Sequence, residues 1–196
     1  MKWLKIVVFL YITITMYADC KNYTKHKRWE QISNQRIFSV SGLVHHKNGF
    51  LIVHDNKRDN QPRISFFKNN KISPLIWPDS SLPYDLEAIS IIPSFKNQYI
   101  LMESTGKCYK IKIEQRNNQI TLMNIFQLET NESMNLEGCI IVKGNFGYKI
   151  MYGDRGSDLR KSTLFIGDFN PVNNNITNLV KHLSLIHISE PTRQHW

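Results

Sequence analysis

Beyond residue 38 the chain alternates apolar and polar positions with a period of two, in short runs bounded by Asn, Lys, Gly and Pro. The pattern predicts strands at Val40–His45, Phe50–Asp55, Arg63–Phe67 and Lys71–Ile76. It predicts four more at Leu86–Ile92, Gln98–Glu103, Lys107–Ile113 and Gln119–Ile125. A last set falls at Leu136–Val142, Gly147–Tyr152, Thr163–Asp168 and Ile176–Val180. No stretch after the N-terminal segment carries a helical period. The strands fall into three groups of four.

The groups repeat one another. SGLVHHKNGFLIVHD, LEAISIIPSFKNQYILME and LEGCIIVKGNFGYKIMYGD share one form. Each has an apolar strand, a polar turn containing Lys and Asn, a second apolar strand and then a carboxylate. Two further strands close each group. The groups start at Ser41, Leu86 and Leu136, so the spacings are 86 − 41 = 45 and 136 − 86 = 50 residues. A four-stranded unit repeating at that interval is the signature of a β-propeller blade. A β-sandwich also has many short strands but does not account for the repeated segments. The expected fold is therefore all-β, a β-propeller of about three four-stranded blades in an incomplete ring. Three blades do not close a ring, because propellers typically have about 4–8.

The ends of the chain read differently. Met1 to Ala18 has a basic start at Lys2 and Lys5 and a short apolar core, the pattern of a secretory signal peptide. An uncleaved membrane anchor or a lipid anchor at Cys20 are the other readings. At the far end, the eleven residues Leu183 to Arg193 match the translation of a transposase-type DNA sequencing adapter. The expected organisation is a signal peptide at 1–18, an N-terminal arm and lead-in at 19–38, and a partial propeller at 39–182. Its blades fall at about 40–80, 86–126 and 135–181, and 183–196 is adapter-derived sequence. The native sequence is expected to continue past His182.

Charge and cysteine content refine this reading. The formal net charge is +9, of which Lys2 and Lys5 account for two units. The one dense basic run, Lys21, Lys25, Lys27 and Arg28, reads as a solvated arm or as a contact for an anionic partner. The expected location is secreted, periplasmic or extracellular. A secreted chain rarely meets nucleic acid, and the partner expected is a small molecule or glycan. Disulfides are permitted there, but Cys20, Cys108 and Cys139 have no pairing legible in the sequence. Asn22, Asn131 and Asn175 begin glycosylation sequons.

The candidate chemistry is carried by carboxylates. In a propeller the first strand of each blade lines the central channel. Glu87 and Glu137 occupy equivalent places there, with Gly42 in the first blade. Asp55, Glu103 and Asp154 follow the second strands, and Asp85 precedes an inner strand with Asn135 as its counterpart. Like charges gathered round one axis repel and are costly to desolvate, and a hard cation relieves that cost. Ca²⁺ takes six to eight oxygen ligands in flexible geometry, which suits this set. The other reading is that Glu87 and Glu137 accept backbone N–H bonds from neighbouring blades and tie the ring together. No zinc-type Cys/His set, phosphate loop or GxSxG elbow is present. His45, His46 and His54 lack ligand spacing, and Trp29 and Trp77 read as packing residues.

SGL near the first strand, LEAI and LEGC in the inner strands, and HD, ME and GD at strand ends resemble secreted bacterial phytase-like or esterase-like propellers. They also resemble the related SdiA-regulated propellers, over about Ser39 to Asn178. The resemblance implies a calcium-binding propeller, with some members acting on phosphoric or carboxylic esters. It makes Asp55, Asp85, Glu87, Glu103, Glu137 and Asp154 ligands of metal or water. It makes Arg155, Arg160 and Lys161 candidates for holding an anion, although these also read as a solvated hairpin loop. Three function classes are then open: a metal-dependent ester hydrolase, a non-catalytic binding propeller for glycan, protein or small ligand, and a structural domain.

Overall fold

The computed structural model describes residues 31–114, 117–157 and 160–183. The signal-peptide segment, Cys20, the basic arm, Trp29 and residues 184–196 lie outside the described residues. All the described strands lie in the unit Ile32–Trp196.

Among the described residues, twelve strands come after a short 3-10 turn at Arg36–Phe38. Blade one is β1 (Gly42–His46), β2 (Gly49–Val53), β3 (Ile64–Lys68) and β4 (Lys71–Pro74). Blade two is β5 (Leu86–Ile91), β6 (Gln98–Glu103), β7 (Lys107–Ile113) and β8 (Ile120–Gln127). Blade three is β9 (Leu136–Gly144), β10 (Gly147–Asp154), β11 (Thr163–Asn170) and β12 (Asn175–Leu183). Each sheet is an antiparallel meander in strand order, and the three first strands lie side by side. This is the propeller architecture the repeat predicts: three blades of a ring that these residues do not close.

Alternation along each strand gives every blade two apolar faces, so blades must stack to bury them. Blade one meets blade two through Leu51, Val53 and Ile64 against Ile89, Leu101 and Tyr109. Blade two meets blade three through Ala88, Ile100, Met102 and Cys108 against Ile141, Ile150, Tyr152 and Phe165. Trp77 stands edge-on to Tyr109 at 5.4 Å in the first of these cores, a packing role.

Two hydroxyls tie the inner strands across the blade boundaries. Ser41 Oγ donates to the Leu86 carbonyl at 2.6 Å, and Ser90 Oγ accepts the Ile141 N–H at 2.9 Å. Both are short side chains that reach the backbone of the next blade directly. Among the described residues no helix is long and apolar enough to cross a membrane.

Candidate functional site: a carboxylate rim on the inner strands

The ladder registers define which residues are equivalent. Gly42 pairs with Val53, Ala88 with Met102, and Gly138 with Gly153. In blades two and three the register then slips by one, so that Leu86 pairs with Glu103 and Leu136 with Asp154. Glu87 and Glu137 are therefore the extra residues of two matching β-bulges. A bulge leaves its residue outside the ladder and re-aims the side chain. That explains how a carboxylate sits within an otherwise apolar inner strand. Counted from the same pairs, the blade-one counterpart of Glu87 and Glu137 is Ser41, where the sequence pattern had pointed to Gly42.

The same count places His54, not Asp55, opposite Glu103 and Asp154. The three residues share a job. Glu103 accepts the Tyr84 N–H at 2.7 Å and Asp154 accepts the Asn135 N–H at 2.9 Å. The His54 ring bonds the Ser39 carbonyl at 2.7 Å. Each so ties the end of the second strand to the segment leading into the first. Each also reaches the third strand or the loop before it: Glu103 accepts from Tyr109 Oη at 2.5 Å, His54 Nε2 meets Ser65 Oγ at 2.8 Å, and Asp154 pairs with Arg160. Burial, and the hydrogen bond to Glu103, push the Tyr109 phenol well above its ordinary range. Burial holds the His54 ring below its ordinary value, so it is neutral at pH 7. Glu103 and Asp154 are buried and committed to these clasps.

The remaining carboxylates face one end of the inner strands. Asp85, at φ 59°, is held by Ser104 Oγ at 2.9 Å and by Lys57 at 3.0 Å. Asp55 is gripped by both terminal nitrogens of Arg36, at 2.9 and 2.8 Å. Glu137 is half-exposed and takes Arg155 at 3.2 Å and the Asn135 amide at 3.0 Å. Glu87 is partly buried among them. Its burial first, and then the charges of Glu137, Asp85 and Asp55, push its carboxyl up to about 7 against an ordinary 4.5, with Lys57 opposing. Asp55, Asp85, Glu87 and Glu137 thus share one rim, while Glu103 and Asp154 stand apart in the clasps. Among the described residues no three His, Cys, Asp or Glu side chains already converge as a metal cage.

The basic candidates are dispersed. Arg155 faces Glu137 across the rim. Arg160 turns back onto Asp154 and the Ser133 carbonyl, the latter at 2.6 Å. Lys161 is exposed beyond it. His46 is buried against Tyr99 Oη at 2.6 Å and His45 is exposed beside Phe50, so neither reaches the rim. The sequence pattern did not single out Lys57 or Arg36, and it weighed Ser104 only as a nucleophile lacking the GxSxG elbow. They are loop or lead-in residues whose partners only the folded chain reveals, and of these contacts only Lys57 to Asp85 crosses between blades.

No family model matches the chain, and no curated protein matches it. Among solved structures it is similar to the WD40 domain of Neurospora crassa Pan2, at 12% identity and a TM-score of 0.47. The match covers 72% of this chain and 35% of that one, so the chain spans about a third of its length. The propeller assignment rests on the sheet order, the registers and the blade-to-blade packing themselves.

Proposed function

We propose that the chain is a binding propeller whose inner-strand rim takes a cation, with Ca²⁺ as the ion to test. The observation that carries this is the pair of matching bulges at Glu87 and Glu137. They bring two side chains from outside the ladder to the same end of adjacent inner strands. Asp85 adds a third carboxylate whose charge Glu87 feels. Burial, and then the neighbouring charges, keep Glu87 short of its charged form, and a hard divalent ion would offset both. Glu87, Glu137 and Asp85 would supply oxygens, with Arg155 and Lys57 giving way to the ion, while Glu103 and Asp154 would not, because they are buried in their clasps.

Secretion would suit such a site, since extracellular calcium is abundant. The ester-hydrolase reading rests on the family resemblance. Its anion-holding set would need Arg155, Arg160 and Lys161 to converge, and Arg160 is engaged with Asp154. Binding therefore stands ahead of hydrolysis.

The test is a thermal shift at pH 7.5 with CaCl₂, against NaCl of matched ionic strength. A ligand at about 100 times its Kd stabilises by about 2.7 kcal/mol, which moves the midpoint several degrees in a domain of this size. Glu87→Gln should abolish that shift. An equal shift in the variant would remove Glu87 from the site.

A further inference from the structure

A crevice of about 210 Å³ opens between the last strands of blades two and three. Glu129 lines it just beyond β8, with Tyr152 of β10, Asn174 of the β11–β12 turn, and Ile176 and Leu179 of β12. One water takes a share of only ~30 Å³ in the liquid, so the space exceeds a single bridging water. Two features build its walls. Gly167 of β11 has no side chain, and a Cβ there would lie 2.8 Å from Ile176 and 3.1 Å from Leu179. The missing Cβ lets those two side chains lie against β11. Lys110 of β7 reaches across from blade two and donates to the Pro171 carbonyl at 2.5 Å. That bond fixes the β11–β12 turn against blade two.

Asn174 is the residue of that turn whose side chain the fold does not use. Asn170 and Asn173 accept turn N–H groups on their Oδ1 atoms, from Val172 at 2.9 Å and from Asn175 at 3.0 Å. Asn174 takes φ 60°, which glycine adopts as readily. Its side chain is turned into the crevice region and the residue is only 6% exposed. Its Oδ1 receives no hydrogen bond from any described residue. A buried acceptor held this way bears the full cost of its lost hydration, and a ligand that brings a donor removes that cost.

The rest of the lining says which donor. Among the described lining residues Glu129 alone is charged, and Lys181 neutralises it at 3.2 Å. A cation would have to displace Lys181, and an anion would meet Glu129. Neutral hydroxyls can donate to Asn174 and to Glu129 with that ion pair intact. Tyr152, Ile176 and Leu179 offer an apolar wall for the C–H face of a sugar ring. We infer that this crevice binds one neutral pyranose sugar, with Asn174 Oδ1 accepting from a ring hydroxyl. The site is separate from the carboxylate rim and needs no ion there.

The full chain is made in bacteria, so that the sequon at Asn175 beside the crevice stays bare. It is titrated in EDTA with D-glucose, D-galactose, D-mannose and N-acetyl-D-glucosamine, followed by saturation-transfer-difference NMR. At least one sugar should bind saturably with a Kd of about 1 mM. Asn174→Gly keeps the turn conformation and removes the acceptor. It should weaken that binding about tenfold or more, with a urea midpoint equal to wild type or higher. Glu129→Gln removes the charge and keeps an acceptor, and should retain sugar binding. No binding of any of the four sugars at millimolar concentration would overturn the inference. So would equal binding by Asn174→Gly, or a lower urea midpoint for that variant, which would assign the amide to the turn. Methylammonium binding in preference to the sugars, and lost in Glu129→Gln, would overturn the choice of a neutral ligand.

Discussion

At the scale of single residues, Glu87 and Glu103 show how position decides what a carboxylate does. Glu103 is buried yet surrounded by donors, from Tyr84, Thr105 and Tyr109. Removing it leaves a partly buried N–H and a buried phenol without that acceptor. Glu103→Ala is expected to cost about 2–4 kcal/mol in denaturant unfolding, against about 0.5 kcal/mol or less for Glu137→Ala on the surface. Glu87 is pushed up to about 7 in the folded chain from an ordinary 4.5. The folded state then holds a proton that the unfolded state has released. Stability from this group is present below pH 4.5 and is lost as pH rises toward 7. His46 and His54 act in the opposite sense, because their folded values are lowered and acid favours the unfolded state. The difference between wild type and Glu87→Gln isolates the first effect. Its midpoint advantage should shrink between pH 4.5 and 7.5, and a constant difference would refute the assignment. Sequence pattern named all four rim carboxylates, but it placed Asp55 one position out of step with Glu103 and Asp154. The bulge residue shifts the count, and alternation alone does not reveal where a ladder slips.

At the scale of the strand, the period of two was a sufficient guide, and all twelve predicted strands occur. Edges moved by one or two residues in most cases. The largest extension was at β12, where predicted Ile176–Val180 becomes Asn175–Leu183. That strand bulges where Ile166 and Asp168 pair with Val180 and Thr177, and Asn178 takes φ 52° there. The hairpin joining β1 and β2 depends on a close approach that the sequence does not announce. A Cβ at Gly49 would collide with the Phe67 carbonyl and the Phe66 ring. Gly49→Ala is therefore expected to cost about 1–3 kcal/mol, read as a lower denaturant midpoint with an unchanged slope. Gly138, where an added Cβ meets nothing within 4 Å, supplies the control, and Gly138→Ala should change little.

At the scale of the molecule, the repeat explains why the site and the blade packing arise together. Identical strand positions are brought to one axis, so carboxylates spaced 50 residues apart, at 87 and 137, feel each other's charge. Identical faces stack in series, so the apolar positions that pack blade one on blade two recur between blades two and three. The blades were legible in the sequence because each repeats its own pattern. The cross-blade ties were not, since Ser41, Ser90 and Lys57 are ordinary polar residues until the neighbouring blade arrives. Cys108 and Cys139 are a related case. Both thiols lie in or against the core between blades two and three, where burial pushes the Cys139 thiol up to about 12 and Cys108 well above its usual value. They are reduced in this structure and serve as apolar packing.

Cation binding at the rim is tested most directly by isothermal titration of the full chain with Ca²⁺ at pH 7.5. A rim site predicts saturable binding with a Kd of about 10⁻⁴–10⁻³ M, the range of extracellular calcium modules, lost in the double variant Glu87→Gln with Glu137→Gln. The same heat in wild type and double variant, or none from wild type at millimolar Ca²⁺, would contradict it.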